Sequence, residues 1–331
     1  MSNGWRETRF AVGCLVASVF SAAPVHAQDW KPERNVEMVV NSGAGGAADR
    51  QARFVQRALQ ALPGIPSMTV TNRAGGGGIV ALTFISQQPP DAHYLSTLST
   101  AIVTNHIIGT TKLSFRDVTP LNILMREYIT ATVRADSPIA SAKDLIARLK
   151  KDPASVSFGF ATARGNQNHI VIGMFARAAG VEPKGLRVVV FASGAAGLTA
   201  VLGGHVDMLV GTPGTTLPHV ETGKVRVVGI SAATRQLGKQ AVLPTFREQG
   251  LDIVYYAWRG FLAPRGITPA QIAFWEQAFT KITQGETWKK DLEDNAWSDD
   301  LRGAVETRKH LEAEHELLSR MLVDLGVIAP R

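Results

Sequence analysis

Along most of the chain one pattern recurs: a short β-branched apolar run, a turn rich in Gly, Ser or Thr, then a segment with apolar residues at helical spacing. The strands it predicts are residues 36–40, 68–71, 94–98, 129–133, 157–160, 187–191, 206–210, 225–230 and 253–262. Helices fall between them, such as 49–62 and 141–151. The second opens on Ser141 with Asp144 three residues on, a variant of the capping box, and stops before Pro153. This alternation predicts parallel α/β sheets, two of them. Beyond Thr268 the rhythm changes, and 268–283, 286–294 and 302–325 all read as helix with no strand between them.

Two stretches read as crossings between sheets: 126–132, and the run "VYYAWRGFL" at 254–262. If both cross, residues 28–128 and 256–331 build one lobe, residues 129–255 build the other, and a hinged cleft lies between them. A length of 331 residues suits two such domains.

The N-terminus changes the picture. Residues 1–9 carry Arg6 and Arg9, residues 10–23 are apolar or small, and "PVHAQ" puts Val25 and Ala27 at the −3 and −1 positions of a cleavage site. Residues 1–27 are expected to be a secretory signal peptide removed after Ala27, which places the protein in the periplasm. The apolar run is shorter than the roughly 20 residues that span a bilayer. Cys14, the sole cysteine, lies inside it, so the exported chain has neither disulfide nor thiol chemistry. The net charge of +7 suits anionic solutes or an anionic membrane surface. Nucleic acid is excluded, because Lys and Arg are scattered with no basic stripe among aromatics.

The stretch "VEMVVNSGAGGAADRQARF" raises the question of chemistry. Gly43, Gly45 and Ala48 match the dinucleotide fingerprint G-x-G-x-x-G/A. The acidic residue such a fold needs about 20 positions on is replaced by Asn72 and Arg73. An exported dinucleotide-dependent oxidoreductase therefore stays as the alternative, with Arg73 placed for a 2′-phosphate. There is no G-x-S-x-G elbow and no H-E-x-x-H.

The same strand, small-residue loop and helix recur at 43–48, 75–78, 163–168 and 193–197, two in each expected lobe. Helix N-termini attract anions because their first N–H groups lack intrahelical partners and the dipole adds about half a positive charge. Four of them across a cleft suit a carboxylate.

At these loops the sequence becomes recognisable. "VEMVVNSGAGGAADRQAR", "VTNRAGGGG", "QQPPDAHYLSTLSTAIVTNH", "FATARGNQNHI", "VVVFASGAAGLTAVLGGHVDMLV", "GKVRVVGISA", "VLPTFREQGLDI" and "WRGFLAPRGITPAQI" stand in an order and spacing similar to those of the Bug-type substrate-binding proteins of tripartite tricarboxylate transporters. The resemblance covers essentially the whole chain after the leader. It implies a type II periplasmic binding-protein fold, with mainly parallel sheets in two α/β lobes around a cleft. It also implies capture of a small organic acid, a mono-, di- or tricarboxylate, and its delivery to the permease subunits of a membrane transporter.

Carried over residue by residue, it implies a first anion loop with Ser42, Gly43, Gly46 and Ala47, joined by Ser99, Thr100 and Asn105 on the same lobe. Opposite them it implies Arg164, Asn166, Asn168 and His169, then Ser193 and Gly194, with Asp207 near the cleft. Arg164 is placed for a second carboxylate, and His169 for a ligand oxygen or its own loop. Asp49 is given a loop-organising role, and His310 and His315 are expected to be solvated. No enzyme activity, cofactor or metal is expected, and the protein is read as a monomer. A periplasmic ligand sensor for a signalling receptor would share the same pocket. The chain reads "SGAGG" where many relatives have "PPGG", which changes the pocket wall, so the ligand's identity does not carry over.

Overall fold

The computed structural model describes Met1 and residues 30–45, 47–161 and 164–329. The leader expected up to Ala27, its cleavage point, Gly46 and Ala163 lie outside the described residues. From the N-terminal side the order is β1 (Val36–Val40), α1 (Ala47–Gln60), β2 (Met68–Asn72), α2 (Ile79–Ser86), β3 (Tyr94–Ser99), α3 (Ala101–Ile108) and β4 (Val118–Tyr128). The middle carries β5 (Thr130–Arg134), α4 (Ala142–Lys151), β6 (Ser157–Ala161), α5 (Gln167–Ala179), β7 (Arg187–Phe191), α6 (Gly194–Leu202), β8 (Met208–Gly211), α7 (Pro213–Glu221) and β9 (Val225–Ile230). The last part holds β10 (Tyr256–Pro264), α8 (Pro269–Thr283), α9 (Glu286–Asn295), β11 (Ser298–Arg302) and α10 (Ala304–Asp324).

The architecture is α/β with two lobes, each built on one sheet. The first sheet has the order β11-β4-β10-β3-β1-β2 and the second β7-β6-β8-β5-β9. Both are mixed. In the first, β1 runs parallel to β2 and β3, while β10 is antiparallel to β3 and β4 and β11 to β4. In the second, β6 is parallel to β7 and β8, and β5 is antiparallel to β8 and β9. The parallel core of each sheet follows from its βα units. The antiparallel strands β5 and β10 are those on which the chain enters from the other lobe, with no crossover helix to set their direction.

Two strands depart from the sequence pattern. Strand β4 runs for 11 residues where the pattern predicts no strand, only a crossing from 126 on, because Pro120 and Asn122 interrupt the apolar run. Asn122 is buried and its Oδ1 accepts from the Phe261 N–H at 3.0 Å, replacing a ladder bond where the β4–β10 register slips. Beside it, a β-carbon on Gly260 would lie 1.9 Å from the Asn122 carbonyl oxygen, so only glycine fits. Strand β11 corrects the all-helical C-terminal reading. Its sequence, SDDLR, has no β-branched residue, yet an edge strand needs only one partner, and charge there discourages further pairing.

The core falls on both faces of the first sheet. On one, Ala52, Val55 and Leu59 of α1 meet an aromatic set in which Phe54 lies 5.6 Å from Trp288 and Phe261 lies 5.3 Å from Phe279. There the Trp275 Nε1–H donates to the Ala92 carbonyl at 3.0 Å. On the other face α10 lays Leu311, Leu318 and Leu322 on the sheet, in a cluster that continues through Ile129 and Tyr255 to Phe158 and Phe175 in the second lobe. Each such fully buried side chain is worth about 1.5–3 kcal/mol. Among the described residues no helix is long and apolar enough to cross a membrane.

Candidate functional site

Strand direction decides where a site can form. Thr130, the first residue of β5, pairs with Gly211, the last of β8, so the chain enters the second lobe at the end where its parallel strands finish. On its return, Arg259 near the start of β10 pairs with Ser99, the last residue of β3. The C-terminal ends of both parallel sets therefore face each other across the crossings. Helices α1, α2 and α3 begin on one side, α5, α6 and α7 on the other, so each lobe turns helix N-termini toward the gap.

On the first lobe the wall is backbone held by amides. The Asn41 N–H donates to Thr97 Oγ1 at 3.0 Å and its Nδ2 to Ser99 Oγ at 3.3 Å. Asn105 Nδ2 donates to the Gly77 carbonyl at 3.1 Å. Between these amides Gly75, Gly76, Gly77 and Gly78 all take positive φ, a path other residues resist. Asn41, Gly77, Gly78, Ser99 and Asn105 line a cavity of about 20 Å³. Thr100 is the N-cap of α3, yet its hydroxyl makes no capping bond; it is only 4% exposed and has no hydrogen-bond partner among the described residues.

The first anion loop is organised from beneath. Asp49 is buried; its carboxylate accepts from the Gly45 N–H at 2.8 Å, Asn72 Nδ2 at 2.9 Å and Arg53 Nε at 3.0 Å. Burial raises the Asp49 pKa, but hydrogen bonds from Arg53, Gly45 and Asn72 outweigh it and hold the group below its ordinary value. Asn72 also donates to the Ser42 carbonyl at 3.0 Å. Ser42 is half-buried, Gly43 is exposed with open space where a β-carbon would sit, and Ala47 begins α1. Asn72 and Arg73 thus serve the fold: the Arg73 guanidinium lies 3.6 Å over the Phe84 ring and 3.8 Å from Glu37.

On the second lobe two predicted ligand residues cap their own helices. Asn166 Oδ1 accepts from the N–H groups of Asn168 and His169, at 3.0 and 3.1 Å, and its Nδ2 donates to the Ala161 carbonyl at 2.6 Å. Ser193 Oγ accepts from the Ala196 N–H at 3.1 Å. The N–H groups that helix geometry leaves for a ligand are then those of Gly194 and Ala195 on α6 and Gln167 on α5. Gly194 packs closely on α7, its absent β-carbon 3.0 Å from Thr215 Oγ1. Asn168 is buried and its Oδ1 has no partner among the described residues.

His169 is buried, stacks on Phe160 at 5.2 Å, and accepts the Gly165 N–H on Nδ1 at 2.9 Å. Burial, and after it the charge of Arg164, push its pKa down to about 4, so the ring is neutral and closes its own loop. Arg164 is exposed. The lobes touch where Gly165 meets Ile108 and Leu322, and where a β-carbon on Gly214 would lie 3.2 Å from the Asn295 carbonyl.

Asp207 is a correction. Its carboxylate accepts from the Ser157 N–H at 2.8 Å and the Ser157 hydroxyl at 2.5 Å, tying the start of β8 to the start of β6. That is the end of the sheet away from the loops. The acidic residue before "MLV" sits where the strand begins, whereas the facing loops sit where strands end. His310 and His315 also depart from expectation, being half-buried: His310 packs 5.4 Å from Trp258 and His315 lies 5.9 Å from His106. Among the described residues no group of three His, Cys, Asp or Glu could hold a metal. Asn41 was missed in the sequence; an amide just after a strand and before a glycine loop is the signal that could have found it.

Comparison with known proteins places this geometry. The family model described as the tripartite tricarboxylate transporter family receptor matches residues 52–321. The protein BugT of Bordetella pertussis is 26% identical, covering 83% of this chain and 84% of its own length. Among solved structures, MatC from Rhodopseudomonas palustris with bound malate superposes with a TM-score of 0.73 at 23% identity, covering 88% of this chain and 99% of the other. An R. palustris protein with adipate gives a TM-score of 0.76 at 23% identity, covering 89% and 98%. At that identity the structural likeness speaks for the fold.

Proposed function

The chain belongs to the tripartite tricarboxylate transporter receptor family, and on that premise we propose that it is a periplasmic binding protein that takes a small carboxylate between its lobes and hands it to the permease of such a transporter. In this reading residues 28–128 and 256–331 form one lobe and 129–255 the other, and the leader is removed after Ala27. It acts by binding and not by catalysis.

The observation that carries the reading is the facing of the two sets of strand ends, with the Gly75–Gly78 turn and the start of α1 on one side and the opening N–H groups of α5 and α6 on the other. A carboxylate is acceptor-only, so it suits a wall of donors. Hydrogen bonds to a charged group are worth about 1.5–3 kcal/mol each, enough for three or four to offset the desolvation of the anion. Donors on both lobes reach one ligand only when the lobes approach, so binding favours the closed state by that difference. Malate in MatC and adipate in the R. palustris protein support a dicarboxylate.

A thermal-shift screen tests this, with mono-, di- and tricarboxylates each paired with its neutral amide, and NADP alongside. A ligand at 100 times its Kd adds about 2.7 kcal/mol of stability. Acids are expected to stabilise and amides not; a shift with NADP alone would overturn the reading. Arg164→Ala is expected to weaken dicarboxylates about tenfold, the scale of a lost charge-assisted bond, with monocarboxylates little changed. Equal loss for both classes, measured by calorimetry, would contradict a contact between Arg164 and the second carboxylate.

A further inference from the structure

The two strands that cross between the lobes are joined at one side chain. Ile129 is the single residue between β4 and β5, and Tyr255 immediately precedes β10. Ser231, which follows β9, is fully buried and bonds to both. Its N–H donates to the Ile129 carbonyl at 2.9 Å, and the Ile129 N–H donates to its Oγ at 2.9 Å. Its hydroxyl donates to the Tyr255 carbonyl at 2.5 Å, and the Tyr255 N–H donates to its carbonyl at 3.0 Å. A hydroxyl can accept from one strand while donating to the other, which no apolar side chain of that size can do.

The linkage extends toward the cleft. The Tyr255 hydroxyl donates to Glu314 Oε1 at 2.9 Å, and both residues are buried. Glu314 lies on α10. The end of that helix presses on the second lobe: a β-carbon on Gly173 of α5 would lie 2.3 Å from Leu325 Cδ2, and one on Gly165 would lie 3.2 Å from Leu322 Cδ2. Gly165 is the residue whose N–H His169 accepts, so α10 runs from the crossing strands to the loop that opens α5.

We propose that Ser231 is the positioning residue of the hinge, holding the two crossing strands together so that the lobes turn as rigid bodies about the line through Ile129, Ser231 and Tyr255, with α10 carrying that position to the 164–169 loop. Hinges concentrate rotation in a few residues at element ends, and these lie at the ends of β4, β9 and β10. The proposal rests on the reading that the lobes close on a ligand, but the hinge itself is measurable without one.

The test places spin labels on Gln60→Cys and Lys151→Cys, one exposed site on each lobe, in the chain from Gln28 onward, which carries no other cysteine. Ser231→Ala is expected to broaden the ligand-free distance distribution, and Ser231→Thr, which keeps the hydroxyl, to restore it. With malate as the probe, Ser231→Ala is expected to bind about tenfold more weakly, the scale of one lost buried hydrogen bond. If no carboxylate binds the unsubstituted protein, the functional reading falls while the ligand-free distances still decide the hinge. Superimposable distributions for the unsubstituted and Ser231→Ala proteins would overturn the proposal. Should Ser231→Ala not fold, amide exchange in the unsubstituted protein decides: Ile129, Ser231 and Tyr255 are expected to exchange within about threefold of one another as one opening unit. Rates spread over two decades or more would overturn it.

Discussion

Asp49 shows how a buried carboxylate can organise a glycine loop from beneath. It spends its acceptors on Gly45, Asn72 and Arg53, and so fixes the loop whose backbone faces the cleft. Its folded-state pKa lies below the unfolded value, so its contribution to stability is present above the unfolded value and is lost as pH falls through the folded one. The stability gap between the unsubstituted protein and Asp49→Asn is therefore expected to be full at neutral pH and to shrink below about pH 4, as read by denaturant titrations across that range. Asp207 makes the opposite case. Asp207→Ala is expected to cost about 1–2 kcal/mol by releasing the Ser157 N–H and hydroxyl, with carboxylate affinity unchanged, since the contact lies at the far end of the strands. A calorimetric loss of affinity in a folded Asp207→Ala protein would return it to the site.

Elements differ in how openly the sequence announces them. Strands β1, β2, β3, β6, β7 and β9 stand where β-branched runs end at small-residue turns, because a strand with little else between turn and turn must carry its own apolar residues. Strand β4 was not legible as a strand, since its stability comes from neighbours on both sides, and the interrupting Asn122 is satisfied by β10 across a register shift. Strand β11 is set by pairing alone. The site loops were legible as glycine and small-residue turns; what was not legible is which N–H groups remain, because Asn166 and Ser193 spend their side chains on their own helices. The Gly75–Gly78 turn tests the backbone wall. Gly77→Ala meets Asn105 only at ordinary contact distance, 3.5 Å, so its cost is that of a positive φ, about 1–2 kcal/mol. Gly260→Ala meets the Asn122 backbone and is expected to cost more than 3 kcal/mol or to prevent folding, as chemical denaturation of the pair would show.

At the scale of the molecule, the two lobes are joined through a continuous apolar cluster and through α10, which touches both. That arrangement opposes separation of the lobes, because parting them would expose the shared apolar cluster. Solution scattering is expected to show a smaller radius of gyration with a bound carboxylate than without, and no change with its amide; an unchanged radius at saturation would mean that the ligand is held by one lobe alone.

The strand order of the first sheet also bears on the making of the protein. Strand β10 lies between β3 and β4, so that sheet has no continuous ladder until residues 256–264 have been synthesised, whereas every strand of the second sheet lies between residues 130 and 230. During synthesis the later-coded lobe can therefore finish before the earlier-coded one, and a nascent chain stopped short of Tyr256 exposes β3 and β4 as open edges. Residues 28–128 therefore wait, with β3 and β4 unjoined, until β10 is present to close the first sheet.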